Sequence, residues 1–557
     1  MSDLKFFPES MRDSIRKVEK SREERYLRQR RGDYYPSLSL SDRQAWLEEF
    51  HPDHRADGRR ALSVGTSEGL EVPLELATLL ESWPRRSVQR WQQREEKRQK
   101  KGTKDFTYDY ETDVLIIGGG GAGIAAAIAA CEADMKVLVV TKLRPGDSNT
   151  IMAEGGIQVA DQECDSPLQH FLDIVGGGHY TNDLDMVEAL VSDGPQVLRW
   201  LEDLGMLFDK YATGRMKVRH GGGTSRKRLH SSGDVTGLEL MRVLMDRARY
   251  LGVEMVSFAP AVELLTDENG RAVGALLERL PQGDIQVVRA GAVILATGGF
   301  GRIHLNNFPT SNHYGATADG LVMAYRAGQP LRDLQYCQYH PTGIAFPEQK
   351  LGLLATEKFR GMGAQLLNCH GDEFVYGLES RDVTTAAIIR ECVEFHNGVQ
   401  TPSGGTGIWL DIPMIDMLHG RGTIEREFPG RFREFIKNGY DIRSWPILTY
   451  PTLHYQNGGV VTQPDGSTHM PGLFACGEVT GGVHGHNRLM GNALLEILVF
   501  GLRSGRYAAD FVKRLGVGGQ PSLAHLKTFT DQLTELGIGC HCVAPKLLPS
   551  YGATLSV

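Results

Sequence analysis

Residues 114–131 read VLIIGGGGAGIAAAIAAC, and this stretch decides the fold. Val114–Ile117 predicts a buried strand, Gly118–Gly123 a glycine-rich turn and Ile124–Ala133 a helix. Lys136–Val140 predicts a second strand. A strand, a helix and a strand in this order open a βαβ unit, which predicts an α/β fold with a parallel sheet covered by helices.

Gly118, Gly120 and Gly123 form the pattern G-x-G-x-x-G between the strand and the helix. The first glycine makes the turn, the second lets a pyrophosphate approach the backbone, and the third packs the helix against the strand. The acidic residue that usually follows the second strand is missing, since Thr141 and Lys142 stand there. The pattern predicts a dinucleotide site that departs from the plain nicotinamide type; a glycine-rich turn that binds nothing is the alternative.

The overall composition excludes several classes of protein. The chain has 557 residues, enough for roughly three to four domains. It is 41% hydrophobic and 23% charged, which excludes a disordered or fibrous protein. The net charge of −7 gives no sign of a nucleic-acid-binding protein. The 66 glycines point to phosphate loops and close backbone approaches.

Cysteine spacing and the absence of targeting signals predict a cytoplasmic protein. Eight cysteines are scattered without a disulfide framework, so a reducing compartment is expected. Cys540-His541-Cys542 offers at most half of a metal site, and no metal is expected. No secretory signal opens the chain, and residues 114–131 are too rich in glycine for a membrane span.

Residues 1–108 are mixed in charge and show no catalytic motif. Helices are predicted around Met11–Gln29 and Arg86–Lys101. The segment is interpreted either as an arm that contacts a partner or as a solvated tail, and the nucleotide-binding fold is not expected to require it. It carries four apolar anchors of a kind enriched at interfaces: Trp46, Phe50, Trp83 and Trp91.

A series of further motifs resembles one family in content and in order. These motifs are Ser148–Thr150, Gly155-Gly156, Ala296–Gly299, His340–Gly343, Thr356-Glu357, Arg360-Gly361, Arg381-Asp382, Pro451–Tyr455, Gly477-Glu478 and Gly485–Glu496. From about residue 113 to 510 the chain resembles the flavoprotein subunits of succinate dehydrogenase and fumarate reductase, with L-aspartate oxidase as a close relative. The resemblance implies FAD as the cofactor, and in that family Thr-Lys commonly ends the second strand.

The resemblance also implies a domain arrangement. A Rossmann-like FAD-binding domain would be formed by two segments, residues 109–335 and 452–510, with an inserted α+β capping domain at 336–451. A helical N-terminal extension at 1–108 and a short C-terminal tail at 511–557 would flank this core.

Two sets of site residues follow from the matching motifs. A fumarate-like dianion needs fixed cations and hydrogen-bond donors for two carboxylates. By resemblance these are His340, Thr356, His454 and Arg488, while Arg381 donates the proton and Glu357 with Arg360 returns it from solvent. The residues implied to bind FAD are Gly118, Gly120, Gly123, Thr141, Lys142, Ser148, Asn149, Gly155, Gly156, Ala261, Thr297, Gly298, Asp319, Glu478, Asn492 and Leu494.

Two positions depart from the relatives. Membrane-bound relatives attach FAD through a histidine in Ser-His-Thr, whereas Asn149 stands here and cannot form that bond. Noncovalent FAD is therefore expected, with a flavin better suited to reducing fumarate, unless Asn149 is neutral in this respect. L-aspartate oxidases carry a glutamate where this chain has Gly221, so a plain dicarboxylate is the expected substrate.

The expected function is that of a catalytic flavoprotein subunit that reduces fumarate to succinate, or the reverse, by hydride transfer from FAD. The chain has no cysteine spacing for an iron–sulfur cluster, so an iron–sulfur partner subunit is expected. Contact with the inner face of the membrane would come only through partner subunits. The alternatives are an oxidase acting on another small acid such as aspartate, and a noncatalytic flavin subunit that transfers electrons.

Overall fold

The computed structural model describes residues 4–100 and 107–549. Its α-helices are Glu9–Arg30, Leu40–Phe50, Leu74–Leu80, Arg86–Lys100, Gly121–Glu132, Pro167–Gly177, Leu184–Asp203, Thr236–Tyr250, Asp319–Arg326, Lys358–Gly361, Arg381–Ile389, Met414–His419, Thr423–Glu427, Pro429–Lys437, Asn492–Leu515 and Ala524–Glu535. No helix in these two ranges is long and apolar enough to cross a bilayer.

The main sheet confirms the predicted α/β fold. Its strands, in spatial order, are Ala261–Thr266, Ala272–Glu278, Ile285–Leu295, Tyr110–Ile117, Val137–Val140 and Glu254–Val256, and Leu473–Ala475 also pairs with Ile285–Leu295. The strands around Tyr110–Ile117 are parallel, whereas the first three are antiparallel. Asn269 and Gly270, a pair of residues typical of tight turns, lie in the loop that joins the first two of these strands as a hairpin.

Alternate residues of the first parallel strand enter two separate apolar cores. Val114 and Ile116 pack with helices on one face of the sheet, and Leu115 and Ile117 pack on the other face. Side chains of a strand point alternately to the two faces, so a continuous apolar run is what a strand covered on both sides requires. Tyr110–Ile117 then ends at the glycine loop, which places that loop at the carboxyl edge of the sheet.

A second, antiparallel sheet lies in the middle of the chain. Its strands are Cys337–Phe346, Ile447–Gln456, Thr406–Asp411 and Gln365–Leu367, in that order, and Val399–Gln400 also pairs with Thr406–Asp411. They share an apolar core around Trp409, which is fully buried. The helix Arg381–Ile389 packs against the first of these strands, and it brings Arg381 to the face of the molecule where that strand carries His340.

The N-terminal helix shows that this part of the N-terminal segment is not a solvated tail. In Glu9–Arg30 the side chains of Met11, Ile15 and Val18 are fully buried in the core around Trp409. Their spacing of four and three residues forms one narrow apolar stripe on a helix that is otherwise charged. The overall composition of the segment conceals this stripe, which is why the composition suggested a solvated segment.

A later part of the N-terminal segment is buried against the main sheet. Leu62, Val72, Leu76 and Leu80 belong to the apolar core that also contains Leu115. Residues 4–30 thus pack on the second sheet and residues 62–80 on the first. The N-terminal segment is part of both cores.

Candidate active site

A cavity of about 890 Å³ opens above the glycine loop and extends along the carboxyl edge of the main sheet. Gly118 has a φ of +123°, and a Cβ there would lie 2.1 Å from the carbonyl oxygen of Ala296. A Cβ on Gly123 would lie 2.0 Å from the oxygen of Gly118. Only glycine permits these two close approaches. Because the turn is so tight, the helix Gly121–Glu132 begins directly behind it, and the N-terminus of the helix points at the cavity. We call this space the glycine-loop cavity.

The glycine-loop cavity fits a dinucleotide. The first amides of a helix have no partner inside the helix, and its N-terminus carries a partial positive charge suited to a pyrophosphate. The hydroxyl of Thr297, which lines the cavity, is shielded from solvent and has no hydrogen-bond partner among the described residues. Both features supply donors for a bound ligand.

The acid that the second strand lacks is supplied by another element. Asp319, the first residue of the helix Asp319–Arg326, lines the glycine-loop cavity. Its carboxylate lies 2.6 Å from the Nζ of Lys142, which also donates to the hydroxyl of Thr317 at 2.6 Å. The cavity therefore has a carboxylate close to the residues Thr141 and Lys142 despite the missing acidic residue.

The sequence-predicted cofactor residues divide among three environments. Those lining the glycine-loop cavity are Gly118, Gly120, Thr141, Lys142, Ser148, Asn149, Ala261, Thr297, Gly298, Asp319 and Glu478. Gly155, Gly156 and Leu494 line an adjoining cavity, which Asn149 and Glu478 also line. Gly123 and Asn492 line neither: Gly123 packs against Gly118, and Asn492 is buried with its Oδ1 3.0 Å from the Nε2 of His170.

Asn149 and Glu478 lie where the two cavities meet. The Nδ2 of Asn149 donates to Asn312 at 2.7 Å and to Glu478 at 3.4 Å, while its Oδ1 accepts from the amide of His313 at 2.6 Å. Burial raises the pKa of Glu478 to about 7. Asn149 is thereby held by three neighbours at the junction.

The adjoining cavity, of about 1060 Å³, collects the charged residues predicted from the sequence, and we call it the arginine cavity. Strand Cys337–Phe346 supplies His340, and strand Ile447–Gln456 supplies His454. The predicted residues that line it are His340, Thr356, Glu357, Arg381, His454 and Arg488. Arg360 does not line it; this residue is buried behind Glu357, with its Nη2 3.6 Å from the Oε2 of Glu357.

Gln338 joins the two arginines, and sequence analysis missed it. Its Oε1 accepts from the Nη1 of Arg381 at 2.7 Å and from the Nη2 of Arg488 at 2.9 Å. A neutral amide oxygen orients both guanidinium groups without cancelling their charge. Residues two apart on a strand point to the same face of the sheet. The position of Gln338 two residues before His340 on one strand was therefore a signal that could have identified it.

Glu357 is ionised and lies between cations. Burial by itself raises its pKa, but the charges of Arg381 and Arg360 lower the pKa to about 2. Its Oε2 accepts from the Nε of Arg381 at 2.7 Å, and its Oε1 accepts from the amide of Gly222 at 2.9 Å. Glu357 is thus in direct contact with Arg381.

The two histidines of the arginine cavity are neutral donors or acceptors. Burial, and then the charge of Arg381, lower the pKa of His340 and of His454 well below the usual value. The two rings lie 5.3 Å apart, and the Nδ1 of His454 is 2.8 Å from the hydroxyl of Ser311. Since the histidines are uncharged, the positive charge facing the cavity comes from arginines: Arg381, Arg488 and also Arg431, which is paired with Glu154.

Such an arrangement suits a small dianion. The guanidinium groups of Arg381 and Arg488 and two imidazoles face one cavity, and guanidinium groups bind carboxylates through paired hydrogen bonds. Burial and the charge of Arg381 lower the pKa of Arg488 to about 10. An anion that binds between the two arginines would relieve their mutual repulsion.

Position 221, where L-aspartate oxidases carry a glutamate, lies in a loop beside the arginine cavity. A Cβ on Gly221 would lie 2.9 Å from the Nε2 of Gln158, so the loop is tightly packed here. The next residue, Gly222, donates its amide to Glu357. The loop therefore contributes a backbone donor to the site and no carboxylate at position 221.

Comparisons with known proteins agree with this geometry. The FAD binding domain family model matches residues 113–494. One chain of the fumarate reductase (CoM/CoB) of Methanothermobacter marburgensis is 40% identical over 412 residues, which are 72% of this chain and 73% of that protein. L-aspartate oxidase of Streptomyces coelicolor is 37% identical over 411 residues, covering 72% and 68% of the two chains.

The fold also matches solved structures. The E. coli quinol fumarate reductase chain FrdA superposes with a TM-score of 0.69 at 30% identity, over 77% of this chain and 74% of that one. Apart from Ile497, all residues that line the two cavities lie within residues 113–494, which match the family model.

Proposed function

We propose that this chain, which belongs to the FAD binding domain family and is an FAD-dependent oxidoreductase, is the catalytic flavoprotein subunit of a fumarate reductase or succinate dehydrogenase. It interconverts fumarate and succinate. The observation that carries the proposal is the bridge from buried Gln338 to both Arg381 and Arg488, the two arginines that it orients at the arginine cavity. Because both guanidinium groups donate to the same oxygen atom, the two cations are held close together. This short spacing suits the two carboxylates of a short dicarboxylate.

In this proposal four side chains bind the substrate and one donates a proton. Arg488, His340, His454 and Thr356 hold the two carboxylates. Arg381 also faces the cavity, and its guanidinium delivers a proton to one alkene carbon as the other carbon accepts hydride. Positioned proton transfer of this kind contributes typically about 10²- to 10⁴-fold to a rate.

Glu357 and Arg360 restore the proton. The Oε2 of Glu357 touches the Nε of Arg381, so the carboxylate is placed to pass a proton to that nitrogen. Arg360, on the far side of Glu357, is the next group along this path. A low pKa keeps Glu357 charged between transfers, which stabilises the protonated form of Arg381.

FAD, when bound, supplies the hydride for this reaction. The residues that would hold it are those lining the glycine-loop cavity, including the glycine turn, Thr297 and Asp319. Gly155, Gly156 and Leu494 would meet the part of the cofactor nearest the arginine cavity. Gly123 and Asn492 would act by packing behind the site. With Asn149 at the junction, the cofactor is bound without a covalent link.

Reduction of fumarate consumes two electrons, which must come from a donor outside this chain. We propose that this donor is an iron–sulfur protein, present as a second subunit. Quinol fumarate reductase complexes supply the precedent among the structural relatives. The assembly would lie at the inner face of the membrane through its other subunits.

The test begins with the purified holoprotein under anaerobic conditions. After chemical reduction, fumarate should restore the absorbance of oxidised flavin, and succinate should be recovered as product. Bleaching of the oxidised flavin by aspartate would instead support an L-aspartate oxidase. No response to either acid would favour the noncatalytic electron-transfer subunit.

A variant links the activity to the arginine cavity. Arg381→Lys shortens the donor and removes its planar fork, so turnover of fumarate should fall at least about 10²-fold with normal FAD content. Arg443→Lys is the matched control, because Arg443 is a partly exposed arginine that pairs with Asp441. If Arg381→Lys kept more than a tenth of the activity, another group would deliver the proton.

A further inference from the structure

The helix Leu40–Phe50 packs against the helix Arg381–Ile389, whose first residue is the proposed proton donor. The start of the first helix is fixed by Ser39, whose side chain accepts a hydrogen bond from the amide of Asp42. This helix lies outside residues 113–494, which match the family model. The contact is thus an addition of this chain to the shared catalytic core.

Glu379 links the N-terminal segment to the beginning of the helix Arg381–Ile389, which we call the catalytic helix. Its side chain is only 2% exposed and stands two residues before Arg381. The Nη2 of Arg43 donates to Oε1 at 3.1 Å and lies 2.9 Å from Oε2, and the amide of Leu38 donates to Oε1 at 3.0 Å. The backbone oxygen of Glu379 accepts from the hydroxyl of Thr384 at 3.3 Å, so the same residue also closes the first helical turn.

The far end of the catalytic helix is held by an aromatic contact. The guanidinium of Arg390, which directly follows Ile389, lies 4.4 Å from the ring centre of Trp46 and 4.4 Å from that of Phe395. Cation–π contacts of this kind are worth about 0.5–1 kcal/mol or more. Helix Leu40–Phe50 therefore contacts the catalytic helix at both of its ends.

The residues after this helix reach the strand that carries Gln338 and His340. The Oδ2 of Asp53 accepts from the amide of Cys337 at 2.9 Å. The ring of His51 meets the ring of Tyr339 edge to face at 5.7 Å. Both contacts lie at positions adjacent in sequence to Gln338, the residue that orients Arg381 and Arg488.

We infer that residues 38–54 are a positioning segment for the reaction, holding helix Arg381–Ile389 and strand Cys337–Phe346 so that Arg381 faces the substrate correctly. The inference rests on the proposed function. Arg43 is its principal positioning residue, because it joins the segment to Glu379 by a charge-assisted hydrogen bond. It touches neither cavity, and it acts through the helix.

The geometry is sensitive to small movements of the helix. Arg381 meets Glu357 and Gln338 at 2.7 Å each, distances at which a shift of about 1 Å breaks a hydrogen bond. A misplacement of that size can lower a rate about 10²-fold. Loosening the first turn should therefore reduce proton delivery more than it reduces substrate binding, in which Arg488, His340, His454 and Thr356 also take part.

Three variants of the full-length holoprotein test the inference. Arg43→Ala should lower kcat for fumarate about tenfold and leave KM within about twofold, since a group that acts in the transition state changes kcat. Arg43→Lys keeps a charge near Glu379 and should recover part of kcat. Arg55→Ala is the control, because Arg55 lies in the same region and pairs with the exposed Asp57.

Hydrogen exchange followed by mass spectrometry gives a readout that does not depend on activity. In Arg43→Ala the peptide containing residues 379–389 should exchange faster than in wild type, while Arg55→Ala should match wild type there. The inference is overturned if exchange of that peptide is unchanged, or if kcat falls no further in Arg43→Ala than in Arg55→Ala. Should wild type fail to reduce fumarate, the proposed function fails, and the exchange data still decide whether the segment holds the helix.

Discussion

At the scale of single residues, the neutral charge of Gln338 is as important as its position. Its oxygen receives hydrogen bonds from two guanidinium groups that also face the cavity. A carboxylate there would bind the same groups more strongly and would neutralise part of their charge. The amide therefore orients the cations and leaves their attraction for a dianion intact.

Gln338→Glu tests this balance with little change in shape. We expect KM for fumarate to rise about tenfold or more, since the new carboxylate repels the substrate and competes for both arginines. FAD content should not change. Steady-state kinetics measures the effect, and Gln400→Glu, at an exposed position of the strand Val399–Gln400, is the control. An unchanged KM would mean that the charge of residue 338 does not affect substrate binding, either directly or through the two arginines.

A second residue-scale prediction concerns the cofactor link. Because Asn149 cannot form a histidyl bond to flavin, acid precipitation of the holoprotein should release all of the FAD into the supernatant. Flavin fluorescence that stays on the polypeptide in a denaturing gel would show a covalent link through another residue.

The raised pKa of Glu478 predicts that the stability of the folded chain depends on pH. Burial raises its pKa from 4.5 to about 7 in the folded chain. Between about pH 4.5 and 7 the folded cofactor-free chain holds a proton that the unfolded chain releases. Glu478 therefore makes its full contribution to the free energy of unfolding below about pH 4.5. This contribution, on the order of 3 kcal/mol, is lost as pH rises through 7.

Glu478→Gln should remove that loss, because an amide does not titrate. Urea unfolding of the cofactor-free chain at pH 5 and pH 8 measures it, with Glu535→Gln on the exposed end of the helix Ala524–Glu535 as the control. If wild type and Glu478→Gln show the same change in unfolding free energy between these pH values, the carboxyl is not protonated in the folded chain.

At the scale of elements, the helix Glu9–Arg30 is fixed to the second sheet by one buried carboxylate. Asp411 is fully buried and accepts from Arg22 at 2.8 Å and from Arg25 at 2.8 Å. Arg25 is itself only 3% exposed. The apolar stripe of the helix supplies burial, and this ion pair determines how the helix is oriented on the sheet.

Asp411→Ala should lower the free energy of unfolding by about 3–5 kcal/mol, because it leaves the buried charge of Arg25 without its carboxylate. Asp441→Ala, which breaks the partly exposed pair with Arg443, should cost no more than about 1 kcal/mol. Urea unfolding compares the two variants. Equal losses would show that the helix is held by its apolar stripe alone.

Elements were predictable where their signals are local. The strand Tyr110–Ile117, the glycine turn and the hairpin at Asn269-Gly270 each follow from adjacent residues. The charged residues of the arginine cavity were found through motifs, and the structure brings six of the predicted residues to one cavity. Gln338 was missed because its role depends on Arg381 and Arg488, which are 43 and 150 residues away in sequence.

At the scale of the whole molecule, the N-terminal segment connects two sheets. Its first helix lies in the core of the second sheet, and residues 62–80 lie in a core of the main sheet. This burial argues against the sequence-based expectation that nucleotide binding does not require the segment, and a truncation tests that expectation. The few apolar residues of the segment are enough because they are placed at the regular spacing of a helix.

Removal of residues 1–100 should uncover parts of both cores. We expect the truncated chain to be largely insoluble and to retain little FAD, because burial of each large apolar side chain contributes about 1.5–3 kcal/mol. Soluble yield and the ratio of flavin to protein absorbance measure the outcome. A truncated protein with full FAD content and an unchanged unfolding midpoint would contradict this prediction.

The ion pair between Arg22 and Asp411 also sets an order of events during synthesis. Its partners are 389 residues apart, so at about 5–20 residues per second the ribosome needs about 20–80 s to make the second after the first. For that time the first helix to emerge has no core to join. Its surface is mostly charged, and its apolar surface consists mainly of the stripe of Met11, Ile15 and Val18, with Leu27 in addition. A helix with so little apolar surface can remain in water until the strand Thr406–Asp411, which carries its ion-pair partner, has been made.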